Sequence, residues 1–404
     1  MSRYKNETLS YFSLFMSTIL FFMVSLIIAN KISKELAYNS KNNGIKYEAP
    51  FFFFILYLIM CFVSVFFSMT ETTKYSIGYG YLIAYIITFI ILGIIDRMVK
   101  LSRNNLLFYD TTDKLCYTAF LSSSIILITI FLSSINDGSF FSDTRILSNM
   151  MPATIGLIAL PVILYPTIFR MTFYRFIILI LAAILIYKGG SRTTIVTLSI
   201  VLTTALFFKY GRYSLIVLAI PVLFLIYDQS LIDFVKEKVL FLDDYYRGID
   251  SLSGRQELWT ASWKIFQKSP LIGHGFRMSE VMFFHEEMTS AHNAYLSSLM
   301  ETGIIGTFFL LTAVFLTLYK LGKISWYFKS NTYIFYFSLL FGAVIYGLGE
   351  RFIINIGNLT SILCMYTFYL PGISSFQEEL CNENACKLCK YYQMAQPYNY
   401  QEKR

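Results

Sequence analysis

Of 404 residues, 56% are hydrophobic and 14% charged, and the formal net charge is +8. A soluble globule of this length needs about 25% charged residues to cover its surface, which excludes a soluble multidomain protein. The positive charge does not indicate nucleic acid, because Lys and Arg sit in short connections between apolar blocks rather than in one stripe. Topological signalling and contacts to anionic lipid account for them.

In chain order the apolar blocks run over 11–30, 50–68, 77–96, 115–133, 152–169, 174–187, 193–208, 213–227, 294–319, 333–349 and 353–373. Most approach the roughly 20 residues that cross a hydrocarbon core as helix, and backbone groups in lipid must be satisfied within the segment. The expected fold is an all-α polytopic membrane protein of about 11–12 transmembrane helices, with one large periplasmic loop containing short interfacial helices. The chain divides into an N-terminal transmembrane bundle (1–227), the loop (228–293), C-terminal transmembrane helices (294–373) and a tail (374–404).

Orientation follows from the basic residues. One set of alternate connections carries 15 Lys and Arg, among them Lys114, Arg170, Arg175, Lys209, Arg212 and Lys329, against seven in the other set. The richer set belongs in the cytoplasm with the tail, and the loop is then periplasmic, with the chain in the inner membrane. Three cysteines lie in apolar blocks and three in the tail (Cys381, Cys386, Cys389), where no fourth zinc ligand follows.

The 66-residue loop is too long for a passive connection. Ser251 or Ser253 can cap a helix that holds Trp259, Trp263 and Phe266 on one face and ends at Pro270, a pattern for a helix in the membrane interface. Gly273-His274-Gly275 then makes a turn, and a second short segment leads to Ala291-His292-Asn293. All three histidines of the chain, His274, His285 and His292, lie in this loop. An imidazole is well placed to exchange protons near neutral pH, and His292 stands where the loop re-enters the membrane. Counted at about 100° per residue, Leu299, Gly303 and Gly306 share its helix face, where glycines admit a neighbouring helix.

Arg192 follows Gly189-Gly190-Ser191 at a helix start, where a guanidinium beside backbone N–H groups makes a phosphate clamp. Arg255, Arg277, Arg145 and Arg351 are also periplasmic in this topology, and such arginines, on the side that topology leaves poor, fit an anionic ligand. Glu301 adds one carboxylate in the helix after His292. His285-Glu286-Glu287 lacks a second histidine four residues on, and Asp243-Asp244 lacks a third ligand, so no metal site is expected.

Taken together, these segments resemble the O-antigen ligase/polymerase family of bacterial envelope enzymes. The ligase-like signature of His-Asn, nine residues and Gly-x-x-Gly corresponds to His292-Asn293, then Gly303 and Gly306. Gly254-Arg255 to Trp259, Lys268-Ser269-Pro270 to Gly275, and Gly190-Ser191-Arg192 resemble the family's loop and helix-start patterns. The resemblance implies transfer of a glycan from an undecaprenyl-diphosphate carrier to an acceptor sugar hydroxyl, without metal or cofactor and with inversion. His292 would be the catalytic base, Arg192 and Arg255 would grip the diphosphate, and Asn293, Gly303, Gly306 and Trp259 would support them. The acceptor would be lipid A-core in a ligase, or a second lipid-linked glycan in a polymerase. The alternative from another class is a lipid-linked glycan flippase. It is disfavoured by the lack of an internal repeat and by charges expected only at the membrane borders.

Overall fold

The computed structural model describes residues 49–67, 72–101, 107–136, 151–189, 191–212, 214, 255–277, 291–350 and 358–370. These residues form helices and turns, and no strand is found among them. The helices are α1 (Ala49–Phe66), α2 (Thr72–Leu101), α3 (Leu107–Asn136), α4 (Met151–Ile168), α5 (Phe173–Gly189) and α6 (Arg192–Tyr210), followed by α7 (Arg255–Lys268), α8 (Ala294–Phe328), α9 (Asn331–Tyr346) and α10 (Leu359–Thr367). Among the described residues five segments are long and apolar enough to cross a membrane: Ala49–Phe66, Tyr79–Asp96, Asp113–Asn136, Thr193–Tyr210 and Ala294–Phe328. The apolar helices Ile155–Ile168 and Asn331–Tyr346 are shorter. The protein is an all-α, multi-pass membrane protein. The expected blocks 11–30 and 213–227 lie outside the described residues, as do the tail, Arg145, Arg351, His285, Asp243, Asp244 and both candidate cap serines.

Helix α4 is buried on every side from Ile155 to Leu164, which suits a helix that is apolar all round. Helices α3, α5, α6 and α9 pack on it, and α1 lies along α8. The outward faces of α1, α2 and α5 carry large exposed apolar side chains, such as Phe52, Ile59, Ile90 and Phe173. In water such faces would be unstable, whereas against lipid they are matched.

The two ends of the bundle differ in kind. At one, Lys209 Nζ donates to the carbonyls of Thr167 and Ile168, Phe207 packs 5.6 Å from Trp326, Lys329 lies over Trp326, and Thr332 bonds Asp113. Among the described residues, the connections with Lys114, Arg170, Arg175, Lys209 and Lys329 therefore gather at this end, in keeping with the charge pattern. The opposite end holds the start of α6, helix α7, His292 and the turn after α9.

Helix α8 would measure about 52 Å if straight, well beyond a hydrocarbon core of about 30 Å. It breaks at Gly303, which takes φ 65° and ψ −169°. The turn 270–275 fills the break. His274 N donates to Met300 O at 2.8 Å and Gly275 N to Glu301 O at 3.1 Å, while Ile304 N donates to Pro270 O at 2.8 Å. Backbone groups released by the break are thus satisfied by the turn, as burial demands. The fit requires glycine on both sides. A Cβ on Gly303 would stand 2.3 Å from the Leu271 carbonyl, and one on Gly273 (φ 79°) would stand 2.5 Å from the Glu301 carbonyl carbon.

Candidate active site

The loop helix α7 presents its buried side through Ser262, Ile265 and Phe266, which pack towards Ala291 and Met300. The expected shared face of three interfacial aromatics is therefore only partly right. Phe266 is buried, Trp259 donates from Nε1 to the Ala291 carbonyl at 3.1 Å, and Trp263 alone of the three is 48% exposed. At about 100° per residue Trp263 lies at the edge of the buried stripe, so packing against α8 takes the other two.

His292 is not the first residue of a long helical face, contrary to the helical count from sequence. It has φ 44°, in the left-handed region, and α8 begins after Asn293. Together with the break at Gly303, this removes any continuous face running from His292 to Gly306. Gly303 serves the turn, and Gly306 keeps the close helix approach, with Met60 of α1 3.5 Å from where its Cβ would be.

Asn293 caps α8. Its Oδ1 accepts from Tyr295 N and Leu296 N at 3.0 Å each, and its Nδ2 donates to Leu348 O at 3.1 Å. Ala294 N donates to Gly347 O at 2.8 Å and Tyr295 Oη to Val344 O at 2.7 Å. The start of α8 is thereby stitched to the turn after α9. On the same turn, Tyr346 Oη lies 3.0 Å from Thr194 Oγ1, one turn into α6, whose N-cap is Ser191.

These stitches place Glu350 between two of the residues singled out in the sequence. Its Oε1 accepts from Arg255 Nη2 at 3.1 Å and its Oε2 lies 3.2 Å from His292 Nδ1. A carboxylate only accepts, so Nδ1 carries the ring proton and Nε2 is the accepting nitrogen. Glu350 is 9% exposed, whereas the Arg255 and His292 side chains keep 28% and 31% of their surface, enough for a ligand to reach them. Gly349 gives the arrangement its closeness. A Cβ there would lie 2.9 Å from Thr193 Oγ1 and 3.1 Å from Arg255 Nη1, so Gly349 fits between Arg255 and the first turn of α6. The N–H groups of that turn favour an anion in the same place.

Residues 177–311, about a third of the chain, match the family model described as O-antigen ligase. That segment is similar to the O-antigen ligase family. The match supports O-antigen ligase/polymerase-type activity in a membrane, and so a glycosyltransferase-like enzyme. It spans α5 and α6, the described part of the loop, and α8 past its break, and so contains Arg192, Arg255, Trp259, His292, Asn293, Gly303 and Gly306. No match was found among curated proteins.

Of the residues expected from sequence, Arg255, Trp259, His292 and Asn293 come together. Arg192 opens α6, at the end where the site lies, and its side chain is outside the described residues. Glu350 was missed. It lies beyond the matched segment and 58 positions from His292 in sequence. The available signal was a lone acid next to Arg351, on the side expected to hold the site. His274 has a structural contact, its Nε2 donating to Ile265 O at 2.7 Å near the end of α7. Arg277 and Glu301 also differ from expectation. They are 8% and 6% exposed and share a cavity inside the bundle with Tyr57 and Tyr85, so charge is not confined to the membrane borders.

Proposed function

We propose that this end of the bundle transfers a glycan from an undecaprenyl-diphosphate carrier to a sugar hydroxyl of lipid A-core, as an O-antigen ligase at the periplasmic face of the inner membrane. The observation that carries the reading is the Glu350 carboxylate shared by Arg255 and His292. His292 Nε2 takes the proton of the acceptor hydroxyl, and the resulting oxygen attacks the anomeric carbon. That carbon's bond to the diphosphate oxygen breaks on the opposite face, which inverts the centre. Glu350 holds the imidazole in the correct tautomer and stabilises the imidazolium as it forms, the role a carboxylate has in other acid–base dyads.

Arg255 and the first turn of α6, with Arg192 as its first residue, take up the charge that grows on the leaving diphosphate. The incoming diphosphate competes with Glu350 for Arg255. Once Arg255 turns to the ligand, Glu350 keeps its contact with His292 Nδ1. The match of the segment bearing His292-Asn293 supports ligase- or polymerase-type transfer, and the His-Asn signature with one large loop leans to the ligase.

The test is complementation of a strain lacking the gene, with lipopolysaccharide read on a gel. Wild type should restore full-length glycan on core. His292→Ala should reduce transfer by roughly 10²–10⁴-fold, the contribution of a positioned base. Full-length glycan retained by that variant would refute the base assignment. In the null strain, core without glycan alongside surviving lipid-linked polymer marks a ligase. Core capped by one repeat would instead assign a polymerase, with a second lipid-linked glycan as acceptor.

A further inference from the structure

A cavity of ≈ 40 Å³ with a mixed polar and apolar lining, open on one side, lies between α1, α2, the end of the turn at Phe276-Arg277 and the first half of α8. Its lining includes Tyr57, Tyr85, Arg277, Ser297, Glu301 and Thr307. Ionisable groups inside a membrane bundle are costly to bury and mark function more often than packing. Arg277 is held in an uncommon backbone conformation (φ 64°), with its guanidinium 4.6 Å from the centre of the Tyr81 ring. Ser297 is 4% exposed, and its hydroxyl has no hydrogen-bond partner among the described residues. A buried hydroxyl left in that state costs about 1–3 kcal/mol, so a ligand or water that bonds it is favoured.

The composition defines the ligand. One cation and one carboxylate sum to no net charge, so the cavity does not fit a diphosphate, unlike the neighbourhood of Arg255. Vicinal hydroxyls suit this lining, because a carboxylate accepts from them, a guanidinium donates to them, and Ser and Thr do either. Tyrosine rings offer apolar faces to the C–H edges of a sugar while keeping a polar tip. The volume holds about three waters at roughly 10–15 Å³ each, which the hydroxyls on one edge of a pyranose can replace. Ala294, two residues after His292 in the chain, also lines it.

We infer that this cavity is a binding subsite for one neutral sugar residue of the glycan substrates, entered edge-on. The identity of the sugar's carrier rests on the transfer reading above, whereas the binding chemistry does not.

The experiment uses the full chain in lipid nanodiscs and saturation-transfer NMR with two released oligosaccharides, the repeat unit of the host's surface glycan and its lipid A-core oligosaccharide. One should give transfer to its sugar protons, and which one does assigns the subsite to the donor or the acceptor side. Ser297→Val and Glu301→Gln should each lower that signal about fivefold or more, as expected for loss of one buried hydrogen bond. Arg175→Leu, at the far end, should leave it unchanged. Thermal unfolding of each variant in the same nanodiscs controls for folding, and Thr307→Val is a third variant if Glu301→Gln does not fold. No signal from either oligosaccharide, or an unchanged signal in folded Ser297→Val, would overturn the subsite. Failure of the transfer reading shows elsewhere, as retained glycan transfer by His292→Ala with sugar binding intact.

Discussion

The two ends of the bundle use the same residue types for different purposes. At the basic end, Arg175 donates to the Arg170 carbonyl and the Tyr174 hydroxyl and lies 4.9 Å from the Tyr165 ring centre, while Lys209 donates to two carbonyls. Carbonyls and rings are fixed parts of the fold, so these cations are anchors. At the other end, Arg255 faces a carboxylate that also serves His292. A carboxylate partner is one that an incoming phosphate can replace, because both are anions of similar geometry. A cation's role here is read from what it is paired with.

Five substitutions test that contrast, in order of expected effect. Glu350→Gln keeps the size of the side chain but removes its charge. Transfer should fall by about 10²–10⁴-fold at saturating donor, with little change in unfolding temperature, since a neutral partner no longer holds the imidazole tautomer or supports the imidazolium. Activity equal to wild type in a membrane assay would make the Glu350 contacts incidental. Gly303→Ala attacks the frame instead. The new Cβ clashes with the Leu271 backbone at a positive φ, and a loss of about 3 kcal/mol is expected. Thermal unfolding in detergent would measure it, and Gly273→Ala on top of it should add less than its own single effect, because both act on one contact.

Asn293→Ala removes the α8 cap and the tie to Leu348, at a cost of about 1 kcal/mol. Because His292 is its neighbour, transfer should fall by more than the stability loss explains, a point checked by comparing rate per folded molecule. The smallest effect on function is expected at the basic end. Arg175→Leu should lower stability by about 1 kcal/mol or less and leave transfer per folded molecule within about twofold. A larger loss of transfer there would break the distinction between the two ends.

Periodicity and charge in the sequence carry a good deal of this structure. The blocks at 50–68, 152–169 and 193–208 became α1, α4 and α6 with starts one residue away, because lipid permits little besides helix for such segments. The Lys and Arg of alternate connections foretold which helix ends share a side, since charge asymmetry acts on the chain before it packs. The pairing of Arg255, Trp259, His292 and Asn293 was legible through their order along the loop.

What the sequence could not supply depends on contacts between distant segments. Gly303 read as a helix-packing residue, yet it breaks α8, because the turn at 270–275 offers its own backbone as partner for the hydrogen bonds released. His292 read as part of a helical face, yet the cap at Asn293 and the turn after α9 set it outside the helix with φ 44°. The pairing of Glu350 with His292 and the cavity shared by Arg277 and Glu301 could not be read locally, since their environment comes from helices far apart in the chain. Local sequence thus determined which segments are helices and on which side they end. Tertiary packing decided which carboxylate meets the histidine, because a side chain's partner is set by geometry across the fold and not by its neighbours along the chain.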